Sequence, residues 1–229
     1  MDSLTTPPVA DVLDRLFREA EIADRPYIDA LLENAEAGLD PVQTLLEAEA
    51  KDYKGLYREA AGNFLSVTPD FGRLLYICAR TRNASRVVEF GTSFGISTIH
   101  LACAIRDNGG GVVIGTELEG TKAERAQEHL AAAGVADIVD VRVGDALETL
   151  RDGVGGPVDM VHLDGAFSLY LPVLQLLEPH LSANALILAE NGTSDYLDYV
   201  RDPANGYVSL TLPFEPARGN EMSLFTGQA

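Results

Sequence analysis

An α/β fold built on an open, mostly parallel seven-stranded sheet is predicted by three features of the chain. Short apolar runs alternate with helix-length patterns from residue 66 onward. A glycine-bearing turn joins the first apolar run to the helix that follows it. Four of the expected strands carry an acid at or near their carboxyl ends, Glu89, Glu117, Asp164 and Glu190. Ligands of such sheets sit outside the carboxyl ends of the strands, so these acids are expected to converge on one rim. With 229 residues, 46% of them hydrophobic, the chain is long enough to bury the core of one such domain.

The elements follow in order. Residues 1–65 read as a helical section placed before the sheet: Val9, Val12, Leu13, Leu16 and Phe17 recur at helical spacing, and Ile28, Leu31 and Leu32 form a second stretch closed by Gly38. Asp40 and Pro41 read as the N-cap and first turn of a third helix carrying Val42, Leu45 and Leu46. Strands are expected over 86–90, 111–117, 141–144, 158–164 and 185–190, with helices over 96–106, 122–133 and 170–181 between them. Residues 207–212 and 222–226 read as two last strands joined by a long loop over 213–220.

The chemistry concentrates at Glu89-x-Gly91-x-x-x-Gly95-x-Ser97. Gly91 and Gly95 lack a Cβ, so the backbone there can take positive φ and approach a ligand closely, while Ser97 and Thr98 offer hydroxyls at a helix start. A nicotinamide-binding G-x-G-x-x-G would place glycine where Ser93 stands, so the pattern points to S-adenosyl-L-methionine rather than to an NAD(P)-binding oxidoreductase. Glu117, ending the second strand, can accept both ribose hydroxyls of a nucleoside, which either cofactor would satisfy. Asp145 can accept from an adenine exocyclic amine, and the Ala146 N–H can reach an adenine ring nitrogen. Taken singly, each feature has a plainer reading: a strand-to-helix turn, a solvated acid at a helix N-terminus, an N-cap. Their order along the chain is what carries the expectation.

Together these residues resemble the class I S-adenosylmethionine-dependent methyltransferases, and within them the small O-methyltransferases typified by the catechol and caffeoyl-coenzyme A enzymes. The resemblance covers residues 66–229, beginning with a segment that includes Thr68, and implies a Rossmann-like sheet with an antiparallel last strand. It implies that Thr68 touches the methionine end of the cofactor, that Glu89, Gly91, Thr92 and Ser97 hold the methionine and its amino group, and that Asp164 lies beside them. Glu117 would take the ribose, with Asp145 and Ala146 at the adenine. In the metal-dependent members an Asp after the fourth strand and an Asp-Asn pair after the fifth hold a divalent cation such as Mg²⁺; the matching positions are Asp164, Glu190 and Asn191. The lysine that this family carries three residues after the first of these is Phe167 here. His162 shares a strand face with Asp164 and is the other candidate for proton work. His100 reads as packing and Tyr170 as a pocket wall.

The expected function is therefore methylation of a small-molecule hydroxyl, with N-methylation, hydride transfer by a nicotinamide enzyme, or cofactor binding without transfer as the alternatives. Seventeen basic against 35 acidic residues, a net charge of −18, argue against a nucleic-acid substrate and against polyanionic coenzyme A thioesters. Acids scattered among the first thirty residues exclude the apolar core of a signal peptide, and no run is long enough to span a membrane, so a cytoplasmic protein is expected. Cys78 and Cys103, on expected helices, suggest neither a disulfide framework nor a zinc site. The N-terminal helices are expected to cover the pocket, to build a homodimer contact, or simply to pack on the sheet.

Overall fold

The computed structural model describes residues 2–36, 38, 40–214 and 219–227, so the centre of the expected 213–220 loop, residues 215–218, lies outside the described residues. Two helices come first, α1 (Val9–Glu36) and α2 (Pro41–Glu59), followed by α3 (Pro69–Arg82). The sheet then builds up as β1 (Arg86–Phe90), α4 (Ile96–Asp107), β2 (Val112–Glu117), α5 (Gly120–Ala132), β3 (Val139–Val143) and the single turn α6 (Ala146–Thr149). It is completed by β4 (Val158–Leu163), α7 (Tyr170–Leu177), β5 (Leu181–Ala189), α8 (Ser194–Arg201), β6 (Tyr207–Thr211) and β7 (Glu221–Phe225).

The strands form one sheet in the order β3-β2-β1-β4-β5-β7-β6. Strands β1 to β5 pair in parallel, and β7 lies antiparallel between β5 and β6. Successive side chains of a strand point to opposite faces, and β1 shows the consequence. Val87 packs with Phe71, Leu75 and Ile99 of α3 and α4, whereas Val88 packs with Tyr170 and Leu174 of α7. Both valines are fully buried, so β1 is covered on its two faces and reads as a continuous apolar run.

The order reverses between β1 and β4, which opens a crevice between the turns that follow them. Those turns touch. A Cβ built on Gly91, at φ +100°, would lie 2.0 Å from the Asp164 carbonyl oxygen. The glycine that the sequence pattern assigns to close ligand approach is thus required first by strand-end packing, and a bulky residue there would disturb the fold before it met any ligand.

The N-terminal section departs from the three expected helices. The two stretches expected as separate helices are one, α1, which runs through Pro26. The ring of Pro26 faces solvent, where the loss of one backbone hydrogen bond can be made good by water. Helix α2 is broken within, at Asp52 (φ −162°, ψ 79°), whose carboxylate accepts from the Gly55 N–H at 2.9 Å and caps the second segment.

Candidate active site

The turn after β1 is held from inside the protein. Glu89 is fully buried and accepts from the Thr92 hydroxyl at 3.1 Å and the Thr98 hydroxyl at 2.5 Å. It therefore stands behind the turn and braces it, and it lines neither the recess nor the cavity in front of that turn. Ser93 takes the left-handed conformation (φ 47°), donates its N–H to Glu117 at 2.7 Å and its hydroxyl to the Phe64 carbonyl at 2.6 Å. Gly95, at φ +89°, starts α4. Gly91, Thr92, Ser93 and Ser97 line a narrow recess that also reaches Asp164.

That recess adjoins a cavity of about 1170 Å³, whose walls include Gly91, Ser93, Glu117, Asp145, Ala146, Asp164, Glu190 and Asn191. The ends of β1, β2, β3, β4 and β5 thus meet at one rim, as the doubly wound topology requires. Thr68 is not brought there. It is exposed and serves as the N-cap of α3, its hydroxyl accepting from the Phe71 N–H at 3.2 Å.

Glu117 accepts from the N–H groups of Ser93 and Glu119, which leaves carboxylate lone pairs free on the cavity side. Burial raises its pKa, opposed by these N–H groups and by Lys122. Asp145 is at once the N-cap of α6, accepting from the Leu147 N–H, and the acceptor of Tyr53 Oη at 2.5 Å and Lys54 Nζ at 2.9 Å from α2. Burial alone would raise the Asp145 pKa, but the bonds from Lys54, Tyr53 and the Leu147 N–H outweigh it and hold the carboxyl below its ordinary range.

Asp164 and Glu190 differ from these two acids. Neither forms an ion pair within 4 Å among the described residues, although the charge of Lys122 acts on Asp164 and that of His162 on Glu190. Burial raises the pKa of both, and for Asp164 the charges of Glu190 and Glu89 push it further, well above the usual carboxylate range. Asn191, next along the chain, takes φ 58° and donates its N–H to Asn220 at 3.0 Å. His162 is placed elsewhere. It is fully buried, with Phe71 across its ring and Glu89 Oε1 3.5 Å from its Nδ1, and it borders neither cavity. A base must reach the proton it takes, so this position does not suit His162 for work on a cavity ligand.

Raised carboxyl pKa values carry a stability consequence. In the unfolded chain both acids titrate near about pH 4, so the stability linked to their raised folded values is complete below about pH 4 and is lost as pH climbs through those values. Glu190→Gln is expected to raise the melting temperature of metal-free protein at about pH 7 to 8 and to flatten its decline with pH. Thermal unfolding across a pH series checks this, and a variant that is less stable at every pH contradicts it.

A family model described as a methyltransferase domain matches residues 88–191. The solved O-methyltransferase TomG from Streptomyces achromogenes, in complex with SAM, is 30% identical, with a TM-score of 0.61 over 71% of this chain and 82% of that one. The chain belongs to the S-adenosylmethionine-dependent O-methyltransferase family. A catechol O-methyltransferase of Mycobacterium tuberculosis is 39% identical over 61% of this chain and 59% of its own length. One from Niastella koreensis is 32% identical over 60% of this chain and 62% of its own length. The chain thus spans about three fifths of these two curated relatives. An O-methyltransferase from Bacillus cereus in complex with SAH shares the fold at 21% identity and a TM-score of 0.64, over 80% of this chain and 90% of that one.

Against that family background, the unforeseen part of the site is its N-terminal wall. Glu49 of α2 is buried, yet it accepts from the N–H groups of Phe167 and Ser168 at 3.0 and 2.7 Å and from the Tyr57 hydroxyl at 2.7 Å. It ties α2 to the segment that follows Asp164. Asp24 of α1 does the same for the turn before α3, accepting from the Phe64 and Leu65 N–H groups at 2.7 and 2.8 Å. The signal was present in the sequence as Leu46, Glu49, Tyr53 and Tyr57 at three- and four-residue spacing, a polar stripe continuing an apolar one. Glu49→Ala would leave two partly buried N–H groups and a hydroxyl unpaired, and it is expected to cost about 2 to 4 kcal/mol of stability in urea unfolding.

Proposed function

We propose that this protein transfers the methyl group of S-adenosylmethionine to a hydroxyl oxygen of a small-molecule acceptor. The observation that supports it most is the convergence on one cavity of Glu117, the β1 turn, Ala146 and the acids Asp164 and Glu190. In this reading Glu117 accepts from the ribose hydroxyls. The Ala146 N–H and Asp145 address the adenine, and the recess lined by Gly91, Thr92 and Ser97 takes the methionine. Among the described residues of the wall, six carboxyl groups and a single lysine suit a cofactor whose reacting sulfur is a cation.

The step is an in-line displacement in which the acceptor oxygen bonds to the methyl carbon as the carbon–sulfur bond breaks. The hydroxyl proton leaves, and S-adenosylhomocysteine is the second product. Positioning carries most of the acceleration, and removal of the proton carries the rest. Asp164, Glu190 and Asn191 are hard oxygen donors, and two of them are acids, Glu190 buried and Asp164 half-buried, with no salt-bridge partner among the described residues, which fits a divalent ion such as Mg²⁺. When bound, such an ion lowers the pKa of a coordinated hydroxyl. Phe167, in place of the family lysine, leaves that task to the acids, while the Glu49 bonds fix the Phe167 and Ser168 backbone beside the acceptor.

Incubation with methyl-labelled S-adenosylmethionine, Mg²⁺ and a panel of catechols and amines tests the reading. Label is expected on an acceptor oxygen. Label on nitrogen alone would reassign the protein to N-methylation, and no transfer to any acceptor would favour a cofactor-binding protein.

A further inference from the structure

We infer that the acceptor is a hydroxyl compound with an extended, uncharged apolar body and no anionic group. This rests on the methyltransferase reading and concerns the half of the cavity that the cofactor does not need. That half is walled by Ile28 and Leu31 of α1, Leu45 and Leu46 of α2, Leu169 beyond β4, and Leu197 of α8. The apolar wall is contributed by four separate segments, and the cavity, at about 1170 Å³, exceeds the roughly 300 to 1000 Å³ usual for ligand pockets. A single small ring beside the cofactor would leave much of this surface wet, whereas an apolar body covers it and gains from leaving water.

Charge sets the second half of the inference. Among the described residues lining the cavity, Asp24, Asp40, Glu117, Asp145, Asp164 and Glu190 are acids and Lys122 is the one cation. Lys122 sits over the Phe94 ring at 5.6 Å, within the fields of Glu117, Asp24, Glu119 and Asp164. Lys54, at the edge, is already paired with Asp145. Among the described residues the apolar half therefore offers no cation to a carboxylate, sulfate or phosphate, and an acceptor carrying one would lose its hydration uncompensated. The anchors Glu49 and Asp24 hold α2 and α1 in this position, so the wall is a fixed part of the site.

The test compares four probes by calorimetry on the full chain with Mg²⁺, with and without S-adenosylhomocysteine: catechol, 4-octylcatechol, 3,4-dihydroxybenzoate and caffeoyl-coenzyme A. The octyl compound is expected to bind at least about tenfold tighter than catechol, the gain from burying two methylenes at ~0.8 kcal/mol each, and the two anionic probes more weakly than catechol. Leu45→Asp, at a half-buried position, should remove the octyl preference by about tenfold while S-adenosylhomocysteine affinity stays unchanged; Leu31→Asn is the second variant should the first not fold. Equal or tighter binding of either anionic probe, or no gain from the octyl chain, overturns the acceptor class alone. Failure of S-adenosylhomocysteine itself to bind overturns the functional reading and this inference with it.

Discussion

Glu117→Ala is expected to weaken S-adenosylmethionine binding by about tenfold to a hundredfold while the far-ultraviolet circular dichroism stays native. Two charge-assisted bonds to the ribose hydroxyls account for about 1.5 to 3 kcal/mol of that loss. The turn is loosened as well, because the same carboxylate accepts the Ser93 N–H and so helps hold a residue at φ 47°, a conformation that costs a non-glycine residue about 1 kcal/mol or more. Glu117→Gln keeps an acceptor oxygen and should fall between the two. Calorimetry reads all three proteins, and an alanine variant with wild-type affinity would remove Glu117 from the cofactor site and make it a loop brace only.

Asp164→Ala is expected to abolish turnover, by at least about a thousandfold if one group both orients the acceptor and assists loss of its proton. Excess EDTA should abolish turnover of the wild-type protein as well, and added Mg²⁺ should restore it. The binding of S-adenosylhomocysteine should survive EDTA, since Glu117 and the β1 turn are untouched. Turnover that persists in EDTA, with metal analysis of the protein negative, would leave Asp164 and Glu190 as pocket acids working without an ion. Burial, which raises the pKa of both, would then make one of them the stronger base for the hydroxyl proton.

Much of this was legible because the signals were local. The apolar runs of β1, β2, β4 and β5 and the acids at their ends are written in consecutive residues, and the sheet topology then dictates the rim on which they meet. The Asp40-Pro41 start of α2 was equally plain, and Asp40 does accept from the Val42 and Gln43 N–H groups. What escaped was set by contacts across the chain. Glu49 looks like one charge among many on an acidic helix, and only the approach of Phe167 and Ser168, 118 and 119 residues away, makes it a buried anchor. Thr68 and Glu89 fit the motif, yet tertiary placement gives one a cap and the other a post behind the turn. His162 shares a strand face in the pattern, but the helix layer closes over it with Phe71. The two apolar stretches at Val9–Phe17 and Ile28–Leu32 read as separate helices, and the exposed position of Pro26 between them lets α1 pass through it.

The central claim is that the rim formed by Glu117, the β1 turn and Ala146 is a site for S-adenosylmethionine. Calorimetric titration of the wild-type chain with S-adenosylhomocysteine, and separately with NAD⁺, tests it most directly. The account predicts saturable one-to-one binding of S-adenosylhomocysteine, weakened tenfold or more by Glu117→Ala, and no heat from NAD⁺. Binding of NAD⁺ in its place, or S-adenosylhomocysteine binding indifferent to Glu117, would contradict it.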